Sequence, residues 1–147
     1  MLSVNDSLSK AYFATLSTIT YLGNPVPVYK NQLPTDIAPG LYIMFGRIRS
    51  QDVSPKTSSM TSTTVTVWVY TNSLKYQDGV AVDIVGNEIL NRLYKVQSFN
   101  ISLNSQFLIV NQTSLQQDFT QDYSVDKQNV YIDRVMIFQH QIFQNVS

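Results

Sequence analysis

Residues 61–71 read TSTTVTVWVYT. Valine, threonine and aromatic side chains fill pleated, half-buried backbone well, so this stretch reads as a strand. Val65, Val67 and Val69 share one face, and Thr64, Thr66, Trp68 and Tyr70 share the other, because side chains alternate along a strand. The polar run NSLKYQD turns the chain. Val80–Val96 then carries Ala81, Ile84, Val85, Ile89, Leu93 and Val96 at helical spacing. Glu88 and Arg92, four apart, add a few tenths of a kcal/mol on its margin. A strand followed by an amphipathic helix needs a sheet for that helix to cover.

Working toward the N-terminus, Leu41–Ser50 is a second long strand. It is apolar on both faces, as expected of a strand covered on both sides for part of its length. Ser50–Ser62 is polar and charge-poor and reads as a long mobile loop. Before the strand lies an arm, residues 25–40, with prolines at 25, 27, 34 and 39. Proline fixes φ and extends the residue before it. VPVY fits only an edge strand, since proline cannot donate to a ladder. The arm's apolar residues are too widely spaced to form a core face. The expectation is that it serves a subunit interface and adds little to the monomer fold. Asn5–Ile19 reads as the first helix, capped at Asn5 or Asp6, with Leu8, Tyr12, Leu16 and Ile19 on one stripe.

Toward the C-terminus, Phe107–Phe119 and Asn129–Phe143 are strands joined by TQDYSVDKQN. There is no βαβ alternation. The order predicts an α+β fold over residues 1–147 as one domain: an antiparallel sheet of four to five strands with two helices packed against it.

The chemistry-bearing residues are few. His140 is the only histidine, there is no cysteine, and Glu88 is the only glutamate. Catalysis by His140 requires a nucleophile and an orienting group beside it, so a packed, hydrogen-bonded core histidine is the simpler reading. A zinc site needs more nitrogen or sulfur ligands than the chain has. Asp118, Asp122 and Asp126 lack the glycine of a calcium loop and read as solvated turn residues. The expectation is no enzyme activity, no metal and no cofactor. Trp68, Tyr70 and Tyr42 invite a base-stacking platform, yet no basic residue interleaves them, and packing under a helix is expected instead. Arg47 and Arg49 close the first long strand. They fit a sheet edge meeting solvent and a bidentate contact to an acidic neighbour equally well.

Ten basic and ten acidic residues leave no net charge, and charged residues make up 14% of the chain. Such a surface is poorly protected against self-association and lacks the basic face that phosphate binding requires. No basic start with an apolar run marks a secretory signal, and no segment has the length of an apolar membrane span. The four Asn-x-Ser/Thr sequons, at Asn5, Asn100, Asn111 and Asn145, are expected by chance in a chain this rich in those residues.

Taken in order, NPVPVYKNQLP, GLYIMFG, a Ser/Thr-rich loop, TTVTVWVYTNS, GVAVDIVGNEILNRL and VYIDRVMIFQHQIF resemble the tail terminator (tail completion or neck) proteins of tailed bacteriophages. The likeness runs from Pro25 to Phe143 and extends to related head–tail connector rings. It implies a structural virion protein of the neck or tail, assembled in the host cytoplasm as a homo-oligomeric ring of six-fold or twelve-fold symmetry. Its implied partners are neighbouring connector, portal-adaptor or tail proteins, with DNA passing through the channel without sequence-specific binding, and no membrane. The residues expected at the subunit interface are Val26, Val28, Tyr29, Leu33, Ile37, Arg47 and Arg49. A monomeric ligand-binding or adaptor domain of the same fold class is the alternative.

Overall fold

The computed structural model describes residues 4–36, 40–52, 59–73, 79–93, 107–126 and 129–144. Along the chain the elements are α1 (Val4–Leu16), β1 (Thr20–Tyr21), β2 (Asn24–Pro25), β3 (Val28–Lys30), β4 (Leu41–Asp52), β5 (Ser59–Thr71), α2 (Val80–Leu93), β6 (Phe107–Asp126) and β7 (Asn129–Gln144). The TSTTVTVWVYT strand sits at the centre of a five-stranded sheet ordered β3-β4-β5-β7-β6. Val67 faces Phe45 on β4 and Met136 on β7.

One face of this sheet is the core. Ile43 and Phe45, Val65, Val67 and Val69, and Met136, Phe138 and Ile142 are all at most 1% exposed. Both helices lie on that face. Tyr12 of α1 stacks on Phe45 at 5.8 Å between ring centroids, and α2 is seated over β5 and β7. The alternation of Val65, Val67 and Val69 thus dictates which side the helices cover.

α1 ends at Leu16, three residues short of the predicted stripe. The Ser17 and Thr18 hydroxyls donate to the carbonyls of Ala14 and Thr15, satisfying the helix end. Ile19 stays buried but belongs to the turn that follows. Leu22 and Gly23, both with positive φ, then form the tip of the β1–β2 ribbon, the backbone shape that two-residue hairpins favour. α2 begins at Val80 as expected, but Ile84 is 49% exposed and leaves the predicted apolar stripe. Its predicted end at Val96 falls outside the described residues.

Three expectations are corrected. First, the sheet is mixed, because β3 runs parallel to β4. The chain leaves β3 and returns over residues 31–40 to start β4 at the same end, which is the crossover that parallel pairing requires. Second, most of the expected loop 50–62 is strand. Ser50, Gln51 and Asp52 pair with Thr63, Ser62 and Thr61. β-branched threonines and neutral serines pair well across a hairpin, and only residues 53–58 of the loop lie outside the described residues. The β6–β7 hairpin is likewise longer than read, with Asp126 paired to Asn129. Third, half of the arm is structural. Val26 is 4% exposed within the core cluster, and its N–H donates to the Ile19 carbonyl. Val28, Leu33 and Ile37 read from the sequence as isolated apolar residues of the arm. β3 instead brings Val28 opposite Ile43 of β4.

Gly46 marks where the arm and the sheet meet. Asn31, with φ of 70°, donates its N–H to the Phe45 carbonyl and brings its backbone over Gly46. A Cβ at position 46 would lie 2.5 Å from Asn31 Oδ1 and 3.1 Å from its Cα. Gly46→Ala should therefore cost about 1–3 kcal/mol through overpacking. Hydrogen exchange at the Asn31 amide should speed up in step. Unchanged stability and unchanged protection there would contradict this reading of the junction.

Candidate assembly surface

The second face of the sheet has neither helix on it. β3 contributes Tyr29, β4 contributes Tyr42 and Met44, β5 contributes Thr66, Trp68 and Tyr70, and β7 contributes Tyr131, Val135 and Ile137. Trp68 faces Met44 on one side and Val135 on the other. It is half-buried, and it does not pack under a helix as the sequence led one to expect. The reason is the alternation: once the three valines take the helix side, Trp68 and Tyr70 must take the other. Tyr29 meets Tyr42 at 6.0 Å and Tyr70 stacks on Tyr131 at 6.2 Å between centroids. Phe119 of β6, 40% exposed, continues the row beside Val135.

A bulge re-aims the two arginines. Up to Gly46 the odd residues of β4 face the core, so strict alternation would send Arg47 and Arg49 under α1. Between Gly46 and Arg49 the register slips by one residue, and Arg49 comes opposite Thr64 on the outer face. Arg47, at φ 47°, occupies the bulge, and its guanidinium carbon lies 5.3 Å from the centroid of the Trp68 ring, within cation–π reach. Among the described residues neither arginine forms an ion pair. Across the same face, Asp133 stands beside Tyr70. Its Oδ1 is buried and accepts no hydrogen bond among the described residues, and burial raises its pKa above the usual carboxylate value.

Of the residues expected at an interface, Tyr29, Arg47 and Arg49 reach this face. Val26 belongs to the core, Val28 is half-buried against it, and Leu33 is half-buried on the arm. Ile37 lies outside the described residues. Trp68, Tyr70 and Tyr42, weighed as a stacking platform and expected instead under a helix, lie on this face, Tyr42 buried; Val135, Phe119 and Asp133 were not singled out. The signal that would have found them is the doubly apolar pattern of Leu41–Gly46, which demands a second covering layer that two short helices cannot supply.

The remaining polar residues have structural roles. His140 is fully buried and meets the Tyr12 hydroxyl through Nε2, which is the packed histidine expected. Burial lowers its pKa to about 4 and raises that of Tyr12 well above its ordinary value, so both groups are uncharged at neutral pH and share one hydrogen bond. Asp118 is no turn residue. It lies in β6 and takes both donors of the Arg134 guanidinium at 2.8 Å. Asp122 and Asp126 likewise lie in the strand. Among the described residues no three His, Asp or Glu side chains gather as a metal site would require. An open groove of about 290 Å³ runs between α1 and β3, with Phe13 and Phe45 as its apolar part and Lys10, Lys30 and Asp6 around it.

No family model matches the sequence, and no curated protein matches it. Among solved structures, a chain from the virion of a native gene transfer agent particle aligns over 97% of this chain and 99% of its own, with a TM-score of 0.72 and 15% identical residues. This chain therefore shares the fold of that virion chain from end to end.

Proposed function

We propose that the chain is a structural subunit of a tailed phage or phage-like virion, acting without catalysis as a ring at the neck or tail, either as a tail terminator or as a head–tail connector. The observation that carries this reading is the correspondence with a chain of a gene transfer agent virion over nearly the whole length of both. Two features of this chain support it. The surface is neutral and charge-poor, which favours association. The sheet face opposite the helices is rich in Tyr, Trp, Met and Arg, the residues enriched where proteins meet. Head-to-tail contacts of one subunit type close into a ring when the rotation permits. Its neighbours are then connector, portal-adaptor or tail proteins above and below, and DNA traverses the channel without sequence-specific contacts.

Light scattering over a concentration series tests the ring. The expected result is a discrete species of six or twelve subunits, formed either by the free chain or on addition of particles that lack it. A strictly monomeric chain under both conditions would overturn the proposal. It would also favour a monomeric binding domain, for which the groove between α1 and β3 is a site among the described residues.

A further inference from the structure

β3 forms one end of the sheet among the described residues, and the groove beside α1 runs along it. β3 lies parallel to β4, with Val28 opposite Ile43 and Lys30 opposite Phe45. The Pro27 carbonyl accepts from the Ile43 N–H, and the Asn31 N–H donates to the Phe45 carbonyl, both at 2.8 Å. Residues 27, 29 and 31 therefore turn their peptide groups toward β4, and Val28 and Lys30 turn theirs to the open edge. The Lys30 carbonyl accepts from the Gln32 N–H. The Val28 N–H, the Val28 carbonyl and the Lys30 N–H have no hydrogen bond among the described residues. The side chains of Val28 and Lys30 share the α1 side of the sheet, where Val28 packs against the core and Lys30 lines the groove. Phe13 of α1, 51% exposed, forms the apolar wall opposite. Asp6 holds Lys10 at 3.2 Å, whereas Lys30 has no ion pair among the described residues.

We propose that this edge receives an antiparallel strand from a neighbouring protein, an extended segment with an acidic side chain two residues before an apolar one. The partner's identity as a neighbour rests on the virion reading. Added strands bind through main-chain hydrogen bonds and take their specificity from alternate side chains. Val28 presents both an N–H and a carbonyl, so the residue opposite it exchanges two bonds with it, as in a hydrogen-bonded antiparallel pair. That residue's side chain falls on the α1 side, against Val28 and Phe13, and needs to be apolar. Two residues earlier the incoming strand lies opposite Lys30. Its carbonyl there accepts from the Lys30 N–H, and its side chain needs to be acidic to meet the ammonium group. A polyanion such as nucleic acid would answer Lys30 and leave Phe13 in water. β6, at the opposite end of the sheet, places Thr120 and Ser124 two residues after Asp118 and Asp122. A second copy of that strand would bring the acid without the apolar side chain.

Two blocked peptides test the site by NMR titration of the full chain: Thr-Val-Glu-Thr-Leu-Thr-Val, and the same sequence with lysine in place of glutamate. The glutamate peptide should shift the amides of Val28, Lys30 and Phe13. It should bind about tenfold more tightly than the lysine peptide, because opposite charges across a strand pair attract and like charges repel. Lys30→Glu, at an exposed position, should reverse that order. Lys30→Pro removes an N–H that does not bond to β4 and should abolish binding of both peptides. If Lys30→Pro disturbs β3, the reversal by Lys30→Glu decides alone. Equal binding of the two peptides, shifts confined to other parts of the chain, or no shift at several millimolar would overturn the site. Protection of the Val28 and Lys30 amides that rises with the concentration of the chain alone would assign the edge to a second copy and overturn this partner. Hydrogen exchange in purified particles is the second arm. The same two amides should exchange at least tenfold more slowly there than in the free chain. Particles that hold the chain with these amides in fast exchange would overturn the proposal and leave the virion reading standing. Particles that lack the chain would remove the virion reading and, with it, this partner.

Discussion

Lowering the pH from 6.5 to 4 should remove about 3 kcal/mol of folding stability through His140 alone. The side chain is fully buried between α1 and the sheet, and burial lowers its pKa from an ordinary 6.5 to about 4. The unfolded chain takes up the proton below about pH 6.5, whereas the folded chain resists it until about pH 4. Stability from this group is therefore whole above pH 6.5, declines through the interval and is fully lost below it. Protonation places a charge at a side chain that is 0% exposed, where water cannot solvate it. Chemical denaturation at several pH values reads this directly. His140→Gln should flatten the slope between pH 6.5 and 4.5, where few carboxylates titrate. A parent slope that survives unchanged in the variant would assign the acid sensitivity elsewhere. Tyr12→Ala, which also empties ring volume against Phe45, should cost about 3–5 kcal/mol at neutral pH.

The second large effect is expected at Arg134. Its side chain is 11% exposed and ties three elements together. It donates to both Asp118 oxygens on β6, to Asn87 Oδ1 and to the Asp83 carbonyl on α2. The Asp118 side chain is 25% exposed and regains some water once its partner is gone. Arg134→Ala should accordingly cost about 3 kcal/mol, the low end for breaking a buried pair. Gly86 explains how the guanidinium fits. A Cβ there would come within 2.6 Å of Nη1 and 2.7 Å of Cδ. Gly86→Ala improves helix propensity by up to about 1 kcal/mol, yet it should destabilise the protein, because Arg134 is held by Asp118 and cannot swing away. In an Arg134→Ala background the same change should become neutral or stabilising. If Gly86→Ala stabilises the parent protein instead, Arg134 is not held as described.

The strong strand, both helices and the α+β class were legible because each rests on a local period. Val65, Val67 and Val69 even fix the helix-covered side, so the outward aim of Trp68 could have been read from the sequence. The lack of basic residues between Trp68, Tyr70 and Tyr42 argued against a stacking platform but does not say which side of the sheet they face. The β4 bulge was not legible. Nothing in GRIRS announces a one-residue slip, yet that slip decides whether Arg47 and Arg49 face α1 or the open side. The parallel pairing of β3 was hidden for a similar reason, since it depends on where the arm returns. Arg134 and Asp118 are sixteen residues apart on neighbouring strands, and their pairing follows from a register that propensity does not encode.

Quantitative mass spectrometry of purified particles from the source that encodes this chain is the most direct test of a structural role in a virion ring. The chain should be present in every preparation at a constant number per particle, six or twelve, and should stay bound after washing. Its absence from purified particles, or a copy number that varies from preparation to preparation, would contradict it.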